Sequence, residues 1–331
     1  MKILVTGGFG FIGSAFIRWI LQNPTFQGEV VNLDLMTYAA NPENLRDFVN
    51  DFRYEFVHGD ICDQPLVEGI LQKGITAIVH FAAETHVDRS IQSAYPFIET
   101  NVKGTLSLLE AVRKFPKIHF HHVSTDEVFG SLSKDGYFNE QSQYQPNSPY
   151  SASKAASDHL VRAFANTYHL STTISHCSNN YGPGQNSEKL IPHMIERLIS
   201  KQVLPIYGKG TNIRDWLYVD DHAEAIWTIL NFGKRGETYN IGGALELSNL
   251  EMVHCLIDHF SKLTDTNPLE SRKLIQFVED RPGHDFRYAI DASKIRKELG
   301  WIPKTTLSQG LGITIHSCLS KTKITCALKW P

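Results

Sequence analysis

The sequence predicts an α/β protein in which a doubly wound parallel sheet is followed by a smaller C-terminal substrate-binding lobe. Apolar β-branched runs alternate with helical patterns through the first half of the chain, which is typical of a parallel sheet with helices on both faces. A glycine-rich turn joins the first run to the first helical pattern. Beyond about residue 178, shorter elements lie between loops rich in Asn, Gly and Pro. This change of pattern indicates a second lobe.

The first strand leads directly into a phosphate-binding signature. Residues 2–6 form a short apolar run, and Gly7, Gly10 and Gly13 follow it with the spacing G-x-x-G-x-x-G, immediately before a helical pattern at 14–21. Glycines so placed permit a tight turn, close approach of the backbone to a pyrophosphate and close packing of helix on strand. The helix N-terminus then presents free N–H groups to phosphate. We therefore predict a Rossmann dinucleotide site.

The second strand, at 29–33, ends in an acidic residue. Asp34 lies about 20 residues beyond the glycines, where the fingerprint expects a carboxylate for the adenosine ribose. A carboxylate there accepts hydrogen bonds from ribose hydroxyls and repels a 2′-phosphate, which favours NAD over NADP. The alternative is that Asp34 merely caps the following turn.

The remaining elements continue the alternation. Strands are expected at 54–58, 76–81, 118–124 and 172–177, and helices at 43–50, 65–73, 94–115 and 149–169. We predict an NAD-binding Rossmann domain over 1–178, to which some later elements return. An interleaved lobe over 179–310 and a divergent, partly disordered C-terminal tail over 311–331 follow, because the tail is rich in Thr, Ser and Lys and poor in helical patterning.

Length, net charge and cysteine spacing limit the classes of protein to which this chain can belong. The 331 residues can bury a sizeable core, and a formal net charge of -3 gives no basic footprint for nucleic acid. Five cysteines lie scattered without C-x-x-C spacing, so neither a metal site nor a disulfide framework is expected. The chain starts with a strand rather than a signal peptide, and no apolar run approaches the ~18 residues that span a membrane. We expect a soluble cytoplasmic enzyme.

Polar residues follow the other strands, where ligands bind in such sheets. Asp60 comes after the third strand and is placed to accept from an adenine amino group. Small residues at 82–83 follow the fourth, Ser124-Thr125-Asp126-Glu127 end the fifth, and Ser178-Asn179-Asn180 follow the sixth. Because the strand ends converge, we expect these residues to form one site.

Tyr150 and Lys154 form a Y-x-x-x-K pair at the start of a helix, one turn apart on the same face. The ammonium would favour the phenolate and lower the pKa of the phenol. Tyr150 could then take a sugar hydroxyl proton as a hydride leaves for nicotinamide, with Thr125 bonded to the same hydroxyl. A solvated helix face is the alternative for this common pair.

Asp126 and Glu127 are adjacent carboxylic acids, which hydride transfer alone does not require. On an extended strand they would point to opposite faces, so both reach one substrate only if the strand has ended. Glu127 would then abstract a carbon-bound proton, and Asp126, kept protonated by burial and negative neighbours, would donate to a leaving hydroxyl. Alternatively, both cap a helix start near Val128.

Together these motifs resemble the extended short-chain dehydrogenase/reductases, and among them the dTDP-glucose 4,6-dehydratases, over roughly residues 1–310. Related epimerases share the glycines, Tyr and Lys but usually lack the Asp-Glu pair. The matching segments are VTGGFGFIG (5–13), LMTYAAN (35–41), HFAAETHVDRSI (80–91), VSTDEVFG (123–130), PYSASKAASDHLVRA (149–163), SNNYGP (178–183), EKLIP (188–192), IRDWLYVDDH (213–222), YNIGG (239–243) and DRPGHDFRYAID (280–291).

The resemblance implies an internal redox cycle on dTDP-glucose. C4 is oxidised with NAD, water is eliminated across C5 and C6, and the hydride returns to C6, giving dTDP-4-dehydro-6-deoxy-glucose for deoxysugar biosynthesis, for example of rhamnose. It implies a homodimer formed through the helices near 94–115 and 149–169. It also implies NAD contacts at Gly7, Gly10, Phe11, Ile12, Gly13, Asp34, Leu35, Thr37, Asp60, Ile61, Ala82, Thr100, Tyr150, Lys154 and Asn180.

Substrate contacts are implied in the same way. Arg214 and Arg281 would bind the diphosphate, Tyr207 would stack on thymine, and His284 would be a third phosphate donor. Arg214 paired with Asp215 and His284 as a turn residue are the alternatives. The implied set is Thr85, Thr125, Asn179, Lys189, Leu190, Pro205, Ile206, Tyr207, Arg214, Asn249, Arg281 and His284.

The sequence departs from the family pattern at two places, and three alternatives to dehydration of dTDP-glucose stay open. Phe129 stands where the family usually has Tyr, and the tail lacks the family's amphipathic helix. The chain could act on UDP-glucose or another nucleotide sugar, could be an epimerase, or could be a dinucleotide-binding scaffold without turnover. An intact catalytic set argues against the last. His86 is expected to be structural.

Overall fold

A computed structural model of the chain describes the backbone of residues 1–327 and the side chains of residues 1–320. The strands are β1 (Lys2–Thr6), β2 (Glu29–Asp34), β3 (Tyr54–His58), β4 (Ala77–His80), β5 (His119–Thr125), β6 (Thr172–Cys177), β7 (Asn179–Tyr181), β8 (Leu204–Tyr207), β9 (Ile213–Tyr218), β10 (Thr238–Ile241), β11 (Glu246–Ser248) and β12 (Ile275–Val278).

The helices are α1 (Phe11–Gln22), α2 (Gln64–Leu71), α3 (Val87–Gln92), α4 (Tyr95–Phe97), α5 (Thr105–Arg113), α6 (Pro149–Tyr168), α7 (Leu190–Ile199), α8 (Val219–Phe232), α9 (Asn249–Thr264), α10 (Pro268–Arg272), α11 (Ser293–Leu299) and α12 (Leu307–Ala327). Short 3₁₀ helices cover Pro42–Phe48 and Asp126–Phe129, and a π-helical turn over Ile98–Gly104 joins α4 to α5.

The central sheet has seven parallel strands in the order β10-β6-β5-β4-β1-β2-β3. The chain winds outward from β1 in both directions, so the predicted doubly wound parallel sheet is confirmed. The predicted helix at 43–50 is instead the 3₁₀ helix, which Asn41 caps by accepting from the Glu43 N–H. Pro42 is the first residue of this helix, a position at which a backbone N–H has no acceptor within the helix, so the missing N–H of proline loses no hydrogen bond.

Helices cover both faces of the sheet, as the buried strands require. On one face, Phe16 and Ile20 of α1 pack with Ile226 and Ile229 of α8. On the other face, α2, α5 and α6 bury a second cluster that includes Leu108. Because α8 and β10 come late in the chain, residues beyond 178 do return to the central sheet.

A smaller lobe is built from the remaining elements. Its strands form a three-stranded sheet, β11-β9-β7, and a two-stranded sheet, β12-β8. The side chains of α7, α9 and α12 surround its core. Across the described residues, no helix is both long and apolar enough to cross a membrane.

We expected the C-terminal tail to be poor in helical structure, and this expectation is wrong for the part of the tail that the structure describes. The helix α12 runs from Leu307 to Ala327, and Leu311 and Ile315 are fully buried against the lobe. Its hydroxyls do not break it, because Thr314 bonds back to the Gly310 carbonyl oxygen at 2.6 Å. The predicted end of the tail, at residues 328–331, lies outside the described residues.

Candidate active site

A cavity of about 310 Å³ opens at the carboxyl ends of the central strands. It lies where β1 separates the two halves of the sheet, the position at which ligands bind in doubly wound folds. All of the predicted cofactor residues line it, as do all of the predicted catalytic residues. The lining includes Gly7, Gly10, Phe11, Ile12, Gly13, Asp34, Leu35, Thr37, Asp60, Ile61, Ala82, Thr100, Thr125, Asp126, Glu127, Tyr150, Lys154 and Asn180.

The glycine turn forms a cradle that has no room for side chains. Gly7 has a φ of +71°, and a Cβ there would lie 2.7 Å from the Ala82 Cα. A Cβ on Gly13 would lie 2.4 Å from the Gly7 carbonyl oxygen. The helix α1 starts with Gly10 as its cap, without a side-chain hydrogen bond, so its first N–H groups remain available to an anion. This cradle fits the pyrophosphate of NAD.

Asp34 is fixed at the edge of the same cavity. Its two carboxylate oxygens accept hydrogen bonds from the N–H groups of Phe9 at 2.9 Å and Met36 at 2.7 Å. Burial raises the pKa of this carboxyl, although those two N–H groups oppose the shift. Asp34 therefore does organise the turn after β2, and it also presents its carboxylate to the cavity.

Asp126 and Glu127 lie where β5 has already ended. The Thr125 side chain caps the 3₁₀ helix by accepting from the Glu127 N–H at 3.3 Å, and both acids occupy the first turn of that helix. The chain therefore bends at the required point, and both acids line the cavity. Thr125, rather than either acid, provides the cap.

The two adjacent carboxyls have different surroundings. Burial, the neighbouring Glu127 and Asp215 raise the pKa of Asp126 well above its usual range, against the opposing charge of Arg214. The Asp126 Oδ2 atom is buried and has no hydrogen-bond partner among the described residues. A protonated carboxyl at this position would present an O–H to the cavity.

Glu127 lies in a more cationic environment. Burial raises its pKa, whereas Arg281, Lys189 and Arg214 favour the ionised form. Ser151 Oγ donates to Glu127 Oε2 at 3.2 Å. Sequence reasoning did not assign Ser151, although its position directly after Tyr150 at the start of α6 was a signal. Asp126 is thus suited to act as an acid and Glu127 as a base.

Tyr150 and Lys154 lie on the first turns of α6, which Ser148 caps. Burial and Glu127 raise the pKa of Tyr150 well above its usual range, and a hydrogen bond with Thr125 opposes the shift. Lys154 Nζ donates to the Val123 carbonyl oxygen at 2.8 Å. The expectation that Lys154 lowers the pKa of Tyr150 is therefore wrong, because desolvation of the phenol dominates and raises it.

The predicted substrate residues fall into two groups. Thr85, Thr125, Asn179 and Lys189 line the cavity, and Asn179 Oδ1 is buried without a partner among the described residues. Ile206 is buried in the core of the lobe, so its side chain cannot face a ligand. The residues that do not line the cavity are Leu190, Pro205, Ile206, Tyr207, Arg214, Asn249, Arg281 and His284.

Arg214 is held by main-chain oxygens. Its Nη1 donates to the Ile213 carbonyl at 2.7 Å, its Nη2 donates to the Asp285 carbonyl at 3.0 Å, and its guanidinium stacks on Tyr288. It is buried, and Asp215 accepts instead from the N–H groups of residues 243 and 245. The alternative of a surface ion pair with Asp215 is therefore wrong.

Arg281 and His284 occupy the turn that faces Tyr207. Arg281 Nε lies 3.8 Å from Asp88 Oδ1 and makes no hydrogen bond among the described residues. His284 Nδ1 contacts Asp280 Oδ1 at 2.7 Å, and its ring lies edge-on to Tyr207 with 6.3 Å between centroids. His284 thus contacts Asp280 within its own turn. The Arg281 Nε–H is left to donate to a ligand.

His86 and Glu188 lie at the mouth of the cavity. The His86 ring accepts from the Arg89 N–H and so caps α3, which confirms a structural part for this histidine. Glu188 Oε2 lies 3.5 Å from His86 Nε2 and 3.8 Å from Arg89 Nε. Sequence reasoning did not assign Glu188, although it stands directly before Lys189 in a matching segment.

The sequence and the structure of this chain are similar to those of known proteins. The family model for GDP-mannose 4,6 dehydratase matches residues 4–314. A dTDP-glucose 4,6-dehydratase of Neisseria gonorrhoeae is 51% identical, over 95% of this chain and 94% of its own. A dTDP-glucose 4,6-dehydratase structure from Streptomyces venezuelae with NAD and TYD bound is 45% identical, with a TM-score of 0.92 over 98% of each chain.

More distant enzymes have the same fold. A UDP-glucuronic acid 4-epimerase from Bacillus cereus, solved with UDP-glucuronic acid and NAD, is 29% identical with a TM-score of 0.88. The match covers 97% of this chain and all of the epimerase chain. The fold alone therefore does not distinguish a dehydratase from an epimerase. The distinction rests on the higher sequence identity to dehydratases and on the residues of the site.

Proposed function

The chain belongs to the dTDP-glucose 4,6-dehydratases, NAD-dependent hydro-lyases, and from that premise we propose how its own residues divide the reaction. The proposal rests on one observation above the others. Two adjacent carboxyls line the same cavity as a Tyr–Lys pair and a glycine cradle. One is buried with an unpaired oxygen, and the other is partly buried under the influence of three cations.

Oxidation at C4 begins with Tyr150. Tyr150 acts as its phenolate, which the nearby ammonium of Lys154 stabilises. The phenolate takes the proton of the C4 hydroxyl and becomes the phenol, while Thr125 binds the same substrate oxygen. NAD, when bound, accepts the hydride from C4 and later supplies it to C6. Asp34 and the cradle around Gly13 would hold this cofactor.

Asp126 and Glu127 then carry out the elimination of water. A ketone at C4 acidifies the C5 hydrogen, and Glu127 removes it as a proton. Asp126 donates its proton to the C6 hydroxyl, which leaves as water. Carboxyls in unlike environments suit opposite roles in acid–base chemistry. The charges of Arg281, Lys189 and Arg214 keep Glu127 able to ionise beside a protonated Asp126.

The outer substrate contacts extend this site towards the lobe. We propose that Arg281 binds the diphosphate, because its Nε is buried without a hydrogen bond among the described residues. Tyr207 is 46% exposed and offers a ring to the thymine. Lys189 donates to the Thr85 carbonyl oxygen at 3.2 Å, and both residues line the cavity beside Glu127.

The assay for the proposed function uses dTDP-glucose and, in parallel, UDP-glucose, with mass spectrometry of the products. Loss of one water from the dTDP sugar without added reductant is expected. Turnover of UDP-glucose alone would contradict the thymine assignment. An unchanged mass with an epimerised sugar would contradict the roles of Asp126 and Glu127.

We also propose a cytoplasmic homodimer. Cys62, Cys177 and Cys255 are free thiols, as a reducing compartment requires. Leu108 and Val161 are fully buried in the monomer core, so they cannot form an interface. The same helical segments expose other apolar residues, Tyr95, Ile98, Leu106 and Tyr168, by 85%, 49%, 37% and 43%. Light scattering of purified protein tests the dimer, and a Leu106→Glu variant should shift it towards monomer.

A further inference from the structure

A polar network centred on the fully buried Asp158 lies beside Lys154, and the proposed reaction uses none of it. Asp158 follows Lys154 by one helical turn on α6, so both side chains lie on the same face of the helix. Its exposed fraction is 0%. A carboxylate buried to this degree is costly unless several donors satisfy it.

Donors from two strands and a loop surround the carboxylate of Asp158. His122 Nε2 of β5 lies 3.2 Å from Oδ1, and His176 Nε2 of β6 lies 3.0 Å from Oδ2. Ser124 Oγ and Tyr144 Oη donate to Oδ2 at 3.0 and 2.7 Å. Burial alone would raise the pKa of Asp158, but the two adjacent imidazoles, His122 and His176, hold it well below its usual range.

The imidazole of His122 lies between this carboxylate and Lys154. Lys154 Nζ is 3.5 Å from His122 Nε2 and donates to the Val123 carbonyl oxygen. Burial lowers the pKa of His122 to about 4, so the ring is neutral near neutral pH. His122 Nδ1 and Asp158 Oδ1 have no hydrogen-bond partner among the described residues, and Nε2 is the ring atom that faces both Oδ1 and the Lys154 ammonium.

Lys154 needs such an anion because it is itself buried. Burial lowers the pKa of the Lys154 ammonium to about 8, and Asp158 is the largest influence that opposes the shift. The titratable groups that face Lys154 or Asp158 from the surrounding elements are His80 of β4, His122 of β5, His176 and Cys177 of β6, Tyr150 of α6, and Tyr144 of the loop before it.

We propose that Asp158 is a positioning residue for the hydride-transfer step. Its charge, next to the imidazole of His122, keeps Lys154 charged and directed at Tyr150. This inference rests on the proposed function, because it assigns Asp158 to the Tyr150–Lys154 pair. The competing account is that the network only ties α6 to β5 and β6. A purely structural role would lower activity equally at every pH.

The test is the pH profile of kcat/KM for dTDP-glucose in the NAD-bound enzyme, for the wild type and Asp158→Asn. Losing the anion lowers the pKa of Lys154, and one unit corresponds to tenfold in protonation. We expect Asp158→Asn to be roughly fivefold slower than wild type near pH 8, where about half of Lys154 is charged in the wild type, but within about twofold near pH 6. Tyr144→Phe is the matched control, because it removes one hydrogen bond and keeps the charge, and its profile should overlay that of the wild type.

A deficit in Asp158→Asn that is constant across the pH range would overturn the proposal. If that variant does not fold, His122→Leu replaces it, because it keeps the carboxylate but removes the imidazole next to Lys154. The same pH-dependent deficit is then expected, and a constant deficit again contradicts the proposal. A wild-type enzyme that fails to dehydrate dTDP-glucose would instead refute the proposed function, so the two failures are distinguishable.

Discussion

At the scale of single residues, the site depends on making two neighbouring carboxyls unlike each other. Asp126 has an unpaired buried oxygen and acidic neighbours, whereas Glu127 has a hydroxyl donor and three cations. The difference arises from the turn at the end of β5, which sends the two side chains into different surroundings. One carboxyl can then hold a proton while the other is free to accept one.

Removing either function should stop elimination but not the first oxidation. We expect Asp126→Asn and Glu127→Gln each to lower kcat by about 10²–10⁴, the usual contribution of general acid–base catalysis. Because Tyr150 and Lys154 remain, NADH should accumulate and be seen by its near-ultraviolet absorbance. Asp135→Asn, at an exposed carboxyl, is the control. Wild-type turnover by Glu127→Gln would exclude this residue as the base.

The buried acid should also cost stability in a pH-dependent way. The pKa of Asp126 is raised in the folded protein, so the stabilising effect of its proton is present at low pH and is lost as pH rises through the unfolded value, about 3.9, towards the folded one. Asp126→Asn should therefore raise Tm near neutral pH, with a gap that closes near pH 4. Thermal unfolding at saturating NAD measures this gap, and a gap independent of pH would contradict the assignment.

The sequence was sufficient to predict which residue types stand at the strand ends, and the structure brings Thr125, Tyr150 and Lys154 together there. It could not predict the partners of Arg214. Two of those partners, the carbonyl oxygens of Asp285 and Phe286, belong to a segment more than 70 residues away, and no local pattern marks a main-chain acceptor. The effect of desolvation on Tyr150 was missed for the same reason, since burial depends on the assembled fold.

At the scale of elements, the glycine turn and α1 determine cofactor binding. A Cβ at position 13 would lie 2.4 Å from a main-chain oxygen, so Gly13→Ala must displace the turn. We expect this variant to lose bound NAD and at least about 100-fold in activity, since each 1.4 kcal/mol is tenfold in affinity. In Gly69→Ala, the added methyl meets nothing within 4 Å, so this matched control should keep NAD and gain slightly in stability. Retention of NAD by Gly13→Ala would contradict the cradle.

Three loops also meet across the mouth of the cavity. The Arg89 guanidinium lies 3.7 Å above the ring of Tyr38 and 3.8 Å, at Nε, from Glu188, so it connects the segments after β2, β4 and β7. We expect Arg89→Ala to release NAD several-fold faster, as seen in the decay of bound cofactor after dilution. Arg272→Ala, which breaks an ion pair with Asp258 on the lobe surface, should leave the release rate unchanged.

The helix α12 shows where pattern reasoning failed at this scale. Leu311 and Ile315 stand four residues apart, which is helical spacing, but Gly312, Ile313 and Thr314 between them hide it. Contact with the lobe stabilises the helix, and Gly310 is required because a Cβ there would lie 2.4 Å from the Tyr181 hydroxyl. Tertiary packing thus overrides weak local propensity.

At the scale of the whole molecule, the late return of α8 and β10 to the sheet couples the two lobes. Sequence alternation predicted the six strands up to residue 177, because each is a short apolar run. The seventh strand, β10, could not be placed from sequence alone, since its pairing with β6 depends on a connection through the entire first part of the lobe. The cavity lies at this junction.

Buried neutral histidines should make the whole fold acid-sensitive. Burial lowers the pKa of His119 and of His222 to about 3, and that of His122 to about 4. Since the unfolded chain binds these protons near pH 6.5, stability should be present above that value and fall as pH decreases towards 4. Urea unfolding at about pH 7 and 5 measures the loss, which we expect to be at least ~2 kcal/mol. Equal stability at both values would contradict the burial of these rings.

The most direct test of the central claim follows one hydrogen through the reaction. Wild-type enzyme is incubated with dTDP-glucose deuterated at C4, and the product is analysed by mass spectrometry and NMR. The account predicts a product lighter by one water, with deuterium at C6, because the hydride taken from C4 returns within the same active site, and with solvent hydrogen at C5. Deuterium retained at C4, or lost to the medium without elimination, would contradict the assignment of Tyr150, Asp126 and Glu127 to one internal redox cycle.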